Sequence, residues 1–232
     1  MIFQSPMSSL DPVWSIGDQI METLCLHRRL NRQAARKEAI ALLDKVGIPS
    51  ATRRIDEYAH QWSGGMLQRA VIALALAGKP KLMLADEPTT ALDVTIQDQI
   101  LSLLLSLQAE TGMALVLVSH DMGVIAETCD RVAVMYAGRI VETAPVKQIF
   151  SAPAHPYTQG LLRAIPTLAT DRSTPLATIE GTVPTIAQLP PGCPFEPRCP
   201  QRVAACAVEL PPLIEVGPGH WARCPVVNPR RI

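Results

Sequence analysis

The sequence predicts an α/β fold with a parallel sheet, followed by a proline-rich, cysteine-containing extension. Apolar residues at helical spacing alternate along the first part of the chain with short continuous apolar runs, a pattern typical of helix-covered parallel strands. The prolines are distributed unevenly, since 16 of the 21 lie from Pro145 onward. We therefore divide the chain into an α/β domain over residues 1–150 and a loop-rich extension over residues 151–232.

The first 80 residues are predicted to be mainly helical. Residues 1–4 end a strand, and residues 5–12 form a polar loop. Apolar spacing predicts helices or helical turns over residues 16–27, 31–46, 55–59 and 63–78. Gly47 is the expected stop of the second helix, and Ser63 is the expected N-cap of the last one.

Two apolar runs then predict neighbouring strands, over residues 82–85 and 114–118. An amphipathic helix over residues 94–110 joins them. After the second strand, His120 opens a helix that ends near residue 129. Residues 132–136 and 139–141 form a hairpin across Ala137 and Gly138.

Carboxylates follow the first of these strands directly. Asp86 and Glu87 would lie at its C-terminal end, where ligands bind in open α/β sheets. One carboxylate can hold Mg²⁺, and the next can orient or deprotonate a water molecule. A buried strand followed by a solvated acidic turn would produce the same run of residues, so the run alone does not decide between the two.

A second candidate site lies at the start of the predicted helix over residues 63–78. Ser63, Gly64 and Gly65 would place free backbone amides and the positive end of a helix dipole together, which is an anion site. An ordinary Ser-Gly-Gly cap is the alternative, although Gln68 and the Asp-Glu strand one helix later favour the anion site. Asp93 would cap the next helix. His120 follows the second strand and could bond a terminal phosphate or merely help to open its helix.

Composition excludes several classes of protein. Lysine plus arginine and aspartate plus glutamate number 21 each, so the charge balance does not favour nucleic acid or an anionic membrane surface. No apolar stretch approaches the ~18–20 residues that a membrane span needs. The N-terminal residues lack the pattern of a signal peptide, so a cytosolic location is expected.

Together these motifs resemble those of an ABC transporter ATPase, in the family's order of Q-loop, signature, Walker B with D-loop, and H-loop. They are Gln4, then Ser63-Gly64-Gly65-Met66-Leu67-Gln68, then Asp86-Glu87-Pro88-Thr89-Thr90-Ala91-Leu92-Asp93, then Ser119-His120-Asp121. The residues from Asp86 to Gln97, and the later His155-Pro156-Tyr157, resemble the corresponding segments of the oligopeptide/dipeptide/nickel importers of bacteria. That resemblance covers essentially the whole chain and implies a P-loop NTPase fold with a helical signature subdomain.

The resemblance also implies roles for these residues. Gln4 would touch Mg²⁺ and the attacking water, and Asp86 would hold Mg²⁺. Glu87 would be the catalytic base, and His120 would contact the γ-phosphate of ATP. The signature residues Ser63, Gly64, Gly65 and Gln68 would meet ATP held by an opposite ATPase subunit, and Asp93 would couple the two sites.

The implied partners are a second ABC ATPase subunit, two transmembrane permease subunits and, indirectly, an extracytoplasmic solute-binding protein, with no nucleic acid. The chain would lie peripherally on the cytoplasmic face of the bacterial inner membrane. It would couple ATP binding and hydrolysis to uptake of peptides, dipeptides, oligopeptides or nickel.

The family's phosphate-binding loop, Gly-x-x-x-x-Gly-Lys-[Ser/Thr], does not occur in these 232 residues. In the family it precedes the Q-loop, which here begins at Gln4. The expectation is therefore an importer ATPase without its N-terminal Walker A segment, either through a truncated gene model or as a natural remnant, and inactive when isolated.

Four cysteines cluster in the extension: Cys193, Cys199, Cys206 and Cys224. Disulfides are disfavoured in a cytosolic protein, whereas four thiolates suit either tetrahedral Zn²⁺ or an iron–sulfur cluster, and the residues alone do not choose between these metals. The resemblance to peptide importers favours a 4Fe-4S cluster. Four unliganded thiols are the remaining alternative.

Two other functions stay open at this point. The chain could be a soluble ABC ATPase acting on ribosomes or DNA, since such proteins share the signature and Walker B motifs. It could also be a non-catalytic remnant that only binds a partner subunit, which the missing phosphate loop favours.

Overall fold

The computed structural model describes residues 1–166 and 177–227, and the chain divides into two compact units, 1–120 and 121–232. Parts of the predicted extension, residues 167–176 and 228–232, lie outside the described residues. The predicted boundary between residues 150 and 151 stays a prediction. In the described part of the chain, no helix combines the length and the apolar character needed to cross a membrane.

Unit 1 contains six helices and two strands. In chain order they are α1 (Pro6–Ser9), α2 (Ile16–Arg28), α3 (Arg32–Lys45), α4 (Ala51–Arg54), α5 (Gly64–Ala77), β1 (Leu82–Asp86), α6 (Val94–Thr111) and β2 (Ala114–Val118), with a 3-10 turn at Ala59–Gln61.

Side-chain caps set where the long helices of unit 1 begin. Ser15, Asn31, Ser63 and Asp93 each accept a hydrogen bond from a backbone amide in the first turn of α2, α3, α5 and α6 respectively. Gly112 ends α6 in the left-handed conformation, with φ of 67°. The apolar faces of these helices bury one core, in which Ile72 is fully enclosed.

The sheet of unit 1 is parallel, as predicted. β1 pairs with β2 from Leu82 opposite Ala114 to Asp86 opposite Val118. Ile2 adds a single parallel bridge beside β1, because its amide donates to the Leu84 carbonyl at 2.7 Å and its carbonyl accepts from the Asp86 amide at 2.9 Å. The predicted strand over residues 1–4 is thus reduced to one bridged residue.

One face of this sheet is open, and we call it the open apolar face. It carries Leu82, Leu84, Val116 and Val118, whose side chains are all exposed, while Met83 and Ala85 of the opposite face are buried in the core. Parallel strands are normally covered on both faces. The open apolar face of unit 1 departs from that rule.

Unit 2 is built on an antiparallel sheet. Its elements are α7 (Met122–Thr128), β3 (Arg131–Tyr136), β4 (Arg139–Pro145), α8 (Val146–Ser151), α9 (Pro156–Arg163), α10 (Ala205–Val208), β5 (Ile214–Gly217) and β6 (His220–Ala222), with 3-10 turns at Ile186–Gln188 and Glu196–Arg198. The strand order is β3-β4-β6-β5. The predicted hairpin is β3 and β4, and it is completed by strands from the cysteine-rich segment.

Four local predictions were wrong. The predicted loop over residues 5–12 contains α1, where Pro6 occupies the first turn, a position that tolerates a missing amide. The predicted turn over residues 55–59 is replaced by α4 and the 3-10 turn on either side of it. The helix predicted to open at His120 begins at Met122, because the Asp121 side chain caps it. The second hairpin strand reaches Pro145 rather than residue 141, since β3 pairs with it as far as Arg131 opposite Pro145.

Candidate active site

The carboxyl ends of β1 and β2 gather the predicted catalytic residues. Because the strands are parallel, Asp86 and Val118 end at the same edge, and Glu87 and His120 follow them. The Glu87 amide donates to the Val118 carbonyl at 2.9 Å, which links the two strand ends directly.

Glu87 is the centre of a hydrogen-bond network. Its Oε2 accepts from Gln4 Nε2 at 2.9 Å and from Thr90 Oγ1 at 2.8 Å. Its Oε1 lies 3.0 Å from His120 Nδ1. Since an ionised carboxylate only accepts, Nδ1 of His120 must carry the proton in this contact. Gln4, which is 83 residues away in sequence, is thus brought to the same carboxylate as His120.

The electrostatics of this network keep Glu87 ionised. The hydrogen bonds from His120, Thr90 and Gln4 hold the pKa of the Glu87 carboxyl below its usual value. The backbone of Glu87 is left-handed, with φ of 45°, which is uncommon for a residue other than glycine. Such conformations cost roughly 1–3 kcal/mol and cluster at functional sites.

Thr90 is the residue of this site that sequence reasoning missed. It lies within the Asp86–Asp93 motif, and its amide also donates to the Glu87 carbonyl at 3.1 Å. A signal was available, because a hydroxyl three residues after a carboxylate can reach back to it within one tight turn. Hydroxyl groups are common in such turns, however, and the type of residue alone does not indicate a role.

The predicted anion site lies at the start of α5. Ser63 is its N-cap and accepts from the Met66 amide at 3.4 Å, with Gly64 and Gly65 in the first turn. A Cβ on Gly65 would lie 2.9 Å from Ile96 Cγ2, so glycine permits close packing against α6. None of the described hydrogen bonds connects this group to Glu87.

Two other predicted residues have distinct surroundings. Gln68 is buried, and its Nε2 has no hydrogen-bond partner among the described residues. Asp93 accepts a hydrogen bond from the Ile96 amide at 3.0 Å and is the N-cap of α6. This is the role that the sequence predicts for Asp93 without the family resemblance.

The four clustered cysteines come together in unit 2. All six cysteines of the chain are among the described residues, and all carry free thiols. Burial raises the pKa of the Cys193 thiol to about 11 and also raises those of Cys199 and Cys224, and at least one other clustered cysteine adds to each of these shifts.

Backbone amides point at three of these sulfurs. The donors to Cys193, Cys199 and Cys224 are respectively Phe195, Gln201 and the pair Val226 and Val227. Each donor lies two or three residues after its cysteine, and these bonds favour the thiolate over the thiol. In the described ranges, no group of three or more His, Cys, Asp or Glu side chains has the arrangement of a formed metal site.

A buried carboxylate also organises unit 2, and sequence reasoning did not single it out. Glu142 is fully buried in β4 and lies 2.7 Å from His220 Nε2 through its Oε1. His155 is the N-cap of α9, and burial lowers its pKa to about 4. Its Nδ1 accepts from the Tyr157 amide at 3.1 Å, so the neutral ring carries its proton on Nε2.

Comparison with known proteins identifies the family. Residues 1–90 match the ABC transporter family model, and residues 141–206 match the oligopeptide/dipeptide transporter C-terminal region. A protein of Brucella melitensis, provisionally named a peptide import ATP-binding protein, is 56% identical over 229 residues, or 97% of this chain and 68% of that protein. The chain belongs to the ABC transporter ATPase family. A relative from Brucella suis with the same kind of name is 53% identical over 97% of this chain and 67% of its own length.

Solved ABC structures confirm the predicted fold class. The cbiO1 protein of Clostridium perfringens, part of the ABC transporter complex cbiONQ, matches with a TM-score of 0.56 and 29% identity over 65% of this chain. The ATP-binding cassette MJ0796, solved as a dimer bound to ADP and Pi, matches with a TM-score of 0.55 and 29% identity over 62% of this chain. This ABC ATPase chain spans 58% of the first solved chain and 62% of the second. Membership of the family implies ATP and Mg²⁺ as its cofactors.

Proposed function

We propose that this chain is the ATP-binding subunit of an ABC importer that takes up peptides or a related solute, such as dipeptides, oligopeptides or nickel. The observation that carries the proposal is the Glu87 carboxylate, held by Gln4, Thr90 and His120 at the carboxyl edge of parallel strands. The match of residues 141–206 to the oligopeptide/dipeptide transporter region favours an importer over a soluble ABC ATPase of ribosomes or DNA.

The residues of this edge have separate roles in hydrolysis. Glu87 accepts the proton of the attacking water, and its lowered pKa keeps it in the basic form at neutral pH. Gln4 orients that water, and His120 contacts the γ-phosphate. Asp86 and Gln4 would hold Mg²⁺, which supplies charge neutralisation on the phosphates when it is bound with ATP.

The signature residues act in a dimer of ATPase subunits. Ser63, Gly64 and Gly65 present a helix N-terminus to ATP held by the opposite subunit, and Gln68 supports that turn. Asp93, at the start of the neighbouring helix, couples the two sites. None of the described hydrogen bonds connects Ser63, Gly64 or Gly65 to the Glu87 network. This supports the assignment of the signature residues and Glu87 to two different nucleotides.

The phosphate-binding loop would pack beside the open apolar face. Its strand and helix would cover Leu84, Val116 and Val118, as the crossover helices of α/β folds cover parallel strands. A helix that precedes a parallel strand runs antiparallel to it, so its N-terminus would lie at the Glu87 edge, where it can bind phosphate.

The decisive experiment replaces Glu87 by Gln in a version of the chain extended by a phosphate-binding strand, loop and helix. ATP turnover should fall ~10²–10⁴-fold, as expected for loss of a general base, while ATP affinity is kept. Glu110→Gln, on the exposed end of α6, is the matched control and should leave both unchanged. If Glu87→Gln abolishes ATP binding but leaves the turnover of bound ATP normal, Glu87 is not the base.

The permease subunits would contact a cleft on unit 1. Val13, Trp14 and Tyr58 are exposed there, beside the ion pair between Arg32 and Asp18 at 3.1 Å. An exposed tryptophan with apolar neighbours and a charged rim is typical of a protein interface. Such docking would place the chain peripherally on the cytoplasmic face of the membrane, with the solute-binding protein reaching it only through the permease pair.

The four clustered cysteines would hold a 4Fe-4S cluster. Their number, their mutual electrostatic influence and the backbone amides directed at three sulfurs suit a thiolate site. Their present arrangement is not that of a formed metal site, so the sulfurs would have to rearrange on binding. Anaerobically purified protein should contain iron and acid-labile sulfide, both of which Cys199→Ser should lose. Zinc without sulfide would identify a structural zinc site instead.

A further inference from the structure

Cys224 lies close to the other clustered cysteines of unit 2 although it is far from them in sequence. Seventeen residues separate it from Cys206, yet Cys206 contributes to the raised pKa of its buried thiol. Cys224 follows β6 by two residues, and β6 pairs with β4 only at Glu142 opposite Ala222 and Thr143 opposite Trp221. Strand pairs this short are marginal by themselves, so side chains must help to hold the segment.

The Glu142 carboxylate connects three separate segments of unit 2. Its Oε1 accepts from the Ala154 amide at 2.7 Å, and its Oε2 accepts from the His155 amide at 2.9 Å. The third contact is with His220 Nε2 of β6, 78 residues away in sequence. One fully buried side chain therefore ties β4 both to the start of α9 and to the strand that leads into Cys224.

The chemistry of these contacts requires a carboxylate. The Ala154 and His155 amides are donors, and His220 Nε2 is the third donor when Glu142 is ionised, because a carboxylate only accepts. A buried carboxylate is costly unless it is fully hydrogen-bonded, and three donors meet that condition. A glutamine at position 142 would keep one oxygen acceptor but would turn an N–H group towards at least one of the donors.

We propose that Glu142 is a positioning residue that, acting through His220, holds Cys224 among the other clustered cysteines. The inference rests on the four-cysteine site proposed above, but it requires only that the thiols are gathered and not that they bind iron. The contact of Glu142 with His220 of β6 would then hold Cys224 near Cys206, although 17 residues separate the two cysteines in sequence. The Arg223 side chain is the alternative anchor, since its Nε donates to the Ile140 carbonyl at 3.0 Å and its Nη1 to the Pro211 carbonyl at 2.7 Å.

The test measures the reactivity of each thiol in the full chain, reduced and freed of metal. A pulse of isotope-coded iodoacetamide followed by peptide mass spectrometry gives a separate alkylation rate for every cysteine. In Glu142→Gln and in His220→Ala, Cys224 should react about tenfold faster than in the unaltered chain, because unsatisfied buried groups raise the population of the opened segment. Cys193 should change much less, and Cys25 of unit 1 should not change.

Two further variants separate positioning from general damage. His220→Gln keeps an N–H donor towards Glu142 and should largely restore the slow reaction of Cys224. Glu209→Gln makes the same chemical change at an exposed position and should leave every rate as it was.

Three outcomes would overturn the inference. The first is an unchanged rate at Cys224 in both Glu142→Gln and His220→Ala. The second is an equal rise at Cys129, Cys193, Cys199, Cys206 and Cys224, which means that unit 2 has unfolded. The third is release of Cys224 by Arg223→Ala but not by Glu142→Gln. Metal analysis of the unaltered chain is independent of all three, so an absence of iron would reject the cluster and leave the positioning role standing.

Discussion

The two units of this chain use charged side chains in opposite ways. In unit 1, Glu87 lies at a strand end within reach of solvent, and its partner His120 is mostly exposed. In unit 2, Glu142 is fully buried and its partner His220 nearly so. Both carboxylates contact a histidine and accept two other hydrogen bonds, yet only the first is accessible to solvent. The same pair of residue types can therefore lie at an accessible strand end or tie buried segments together, and the two pairs differ in burial.

The largest expected effect comes from adding one methyl group at a glycine in either unit. A Cβ on Gly192 would overlap the Cys206 carbonyl oxygen and lie 2.8 Å from the Ala207 carbonyl carbon. Gly192→Ala should destabilise unit 2 by about 3 kcal/mol, since backbone atoms cannot move aside as a side-chain end can. Hydrogen exchange should show faster exchange in β3 and β4, with α5 of unit 1 unaffected.

The reciprocal substitution sharpens this comparison. A Cβ on Gly17 would overlap the Ile55 side chain and lie 2.5 Å from its carbonyl oxygen, so Gly17→Ala should accelerate exchange in unit 1 alone. Gly78→Ala is the matched control, because nothing lies within 4 Å of its Cβ position and its φ of −76° suits alanine; it should be neutral or stabilise by about 0.4–1 kcal/mol. Faster hydrogen exchange in both units, in either Gly192→Ala or Gly17→Ala, would show that the two units do not unfold separately.

An intermediate effect is expected from acid. The pKa of His155 falls from 6.5 to about 4 on folding because the ring is buried. Its neutral form therefore stabilises the fold fully above pH 6.5, and this contribution is lost as the pH falls from 6.5 towards 4. Unit 2 should lose about 2 kcal/mol between pH 7.5 and pH 5 from this residue, measured by denaturant titration at each pH.

His155→Asn isolates that contribution. Asparagine is a good N-cap but does not titrate, so the variant should be less stable at pH 7.5 yet lose less stability between pH 7.5 and pH 5. An equal pH dependence in both proteins would assign the acid sensitivity to another group.

The smallest effect concerns the exposed pair of unit 1. The hydrogen bond with His120 is the main cause of the lowered pKa of Glu87. His120→Ala should therefore raise the Glu87 pKa towards its usual value without measurable loss of stability, as carbon-13 NMR of the labelled carboxyl would show. A Glu87 pKa that does not change would mean that Thr90 and Gln4 suffice to keep the carboxylate ionised.

Sequence patterns located the site of unit 1 better than the polar cluster of unit 2. Asp86, Glu87 and His120 were predicted because short apolar runs identify parallel strands, and parallel strands end at a common edge. Gln4 came only from the family resemblance, since its contact with Glu87 spans 83 residues. The match of the chain to the ABC transporter family confirmed that resemblance, while the individual site roles stay predictions.

Glu142 was missed for a physical reason. In a hairpin strand, a charged residue is normally assigned to the solvent face, and only its partner 78 residues later shows that it is buried. The pairing of β4 with β6 is similarly distant in sequence, and it joins β6 to the hairpin in one antiparallel sheet. Local sequence patterns predicted only a hairpin followed by a loop-rich extension.

The left-handed backbone at Glu87 sets stability against activity at a single position. A residue with a Cβ costs roughly 1–2 kcal/mol in this conformation, whereas glycine adopts it freely. Glu87→Gly would relieve this backbone cost, but it would also remove the carboxylate that Gln4, Thr90 and His120 contact. Thermostabilised versions of this ATPase should therefore be screened for turnover at each round, because relief of backbone strain at this position would remove the proposed catalytic base.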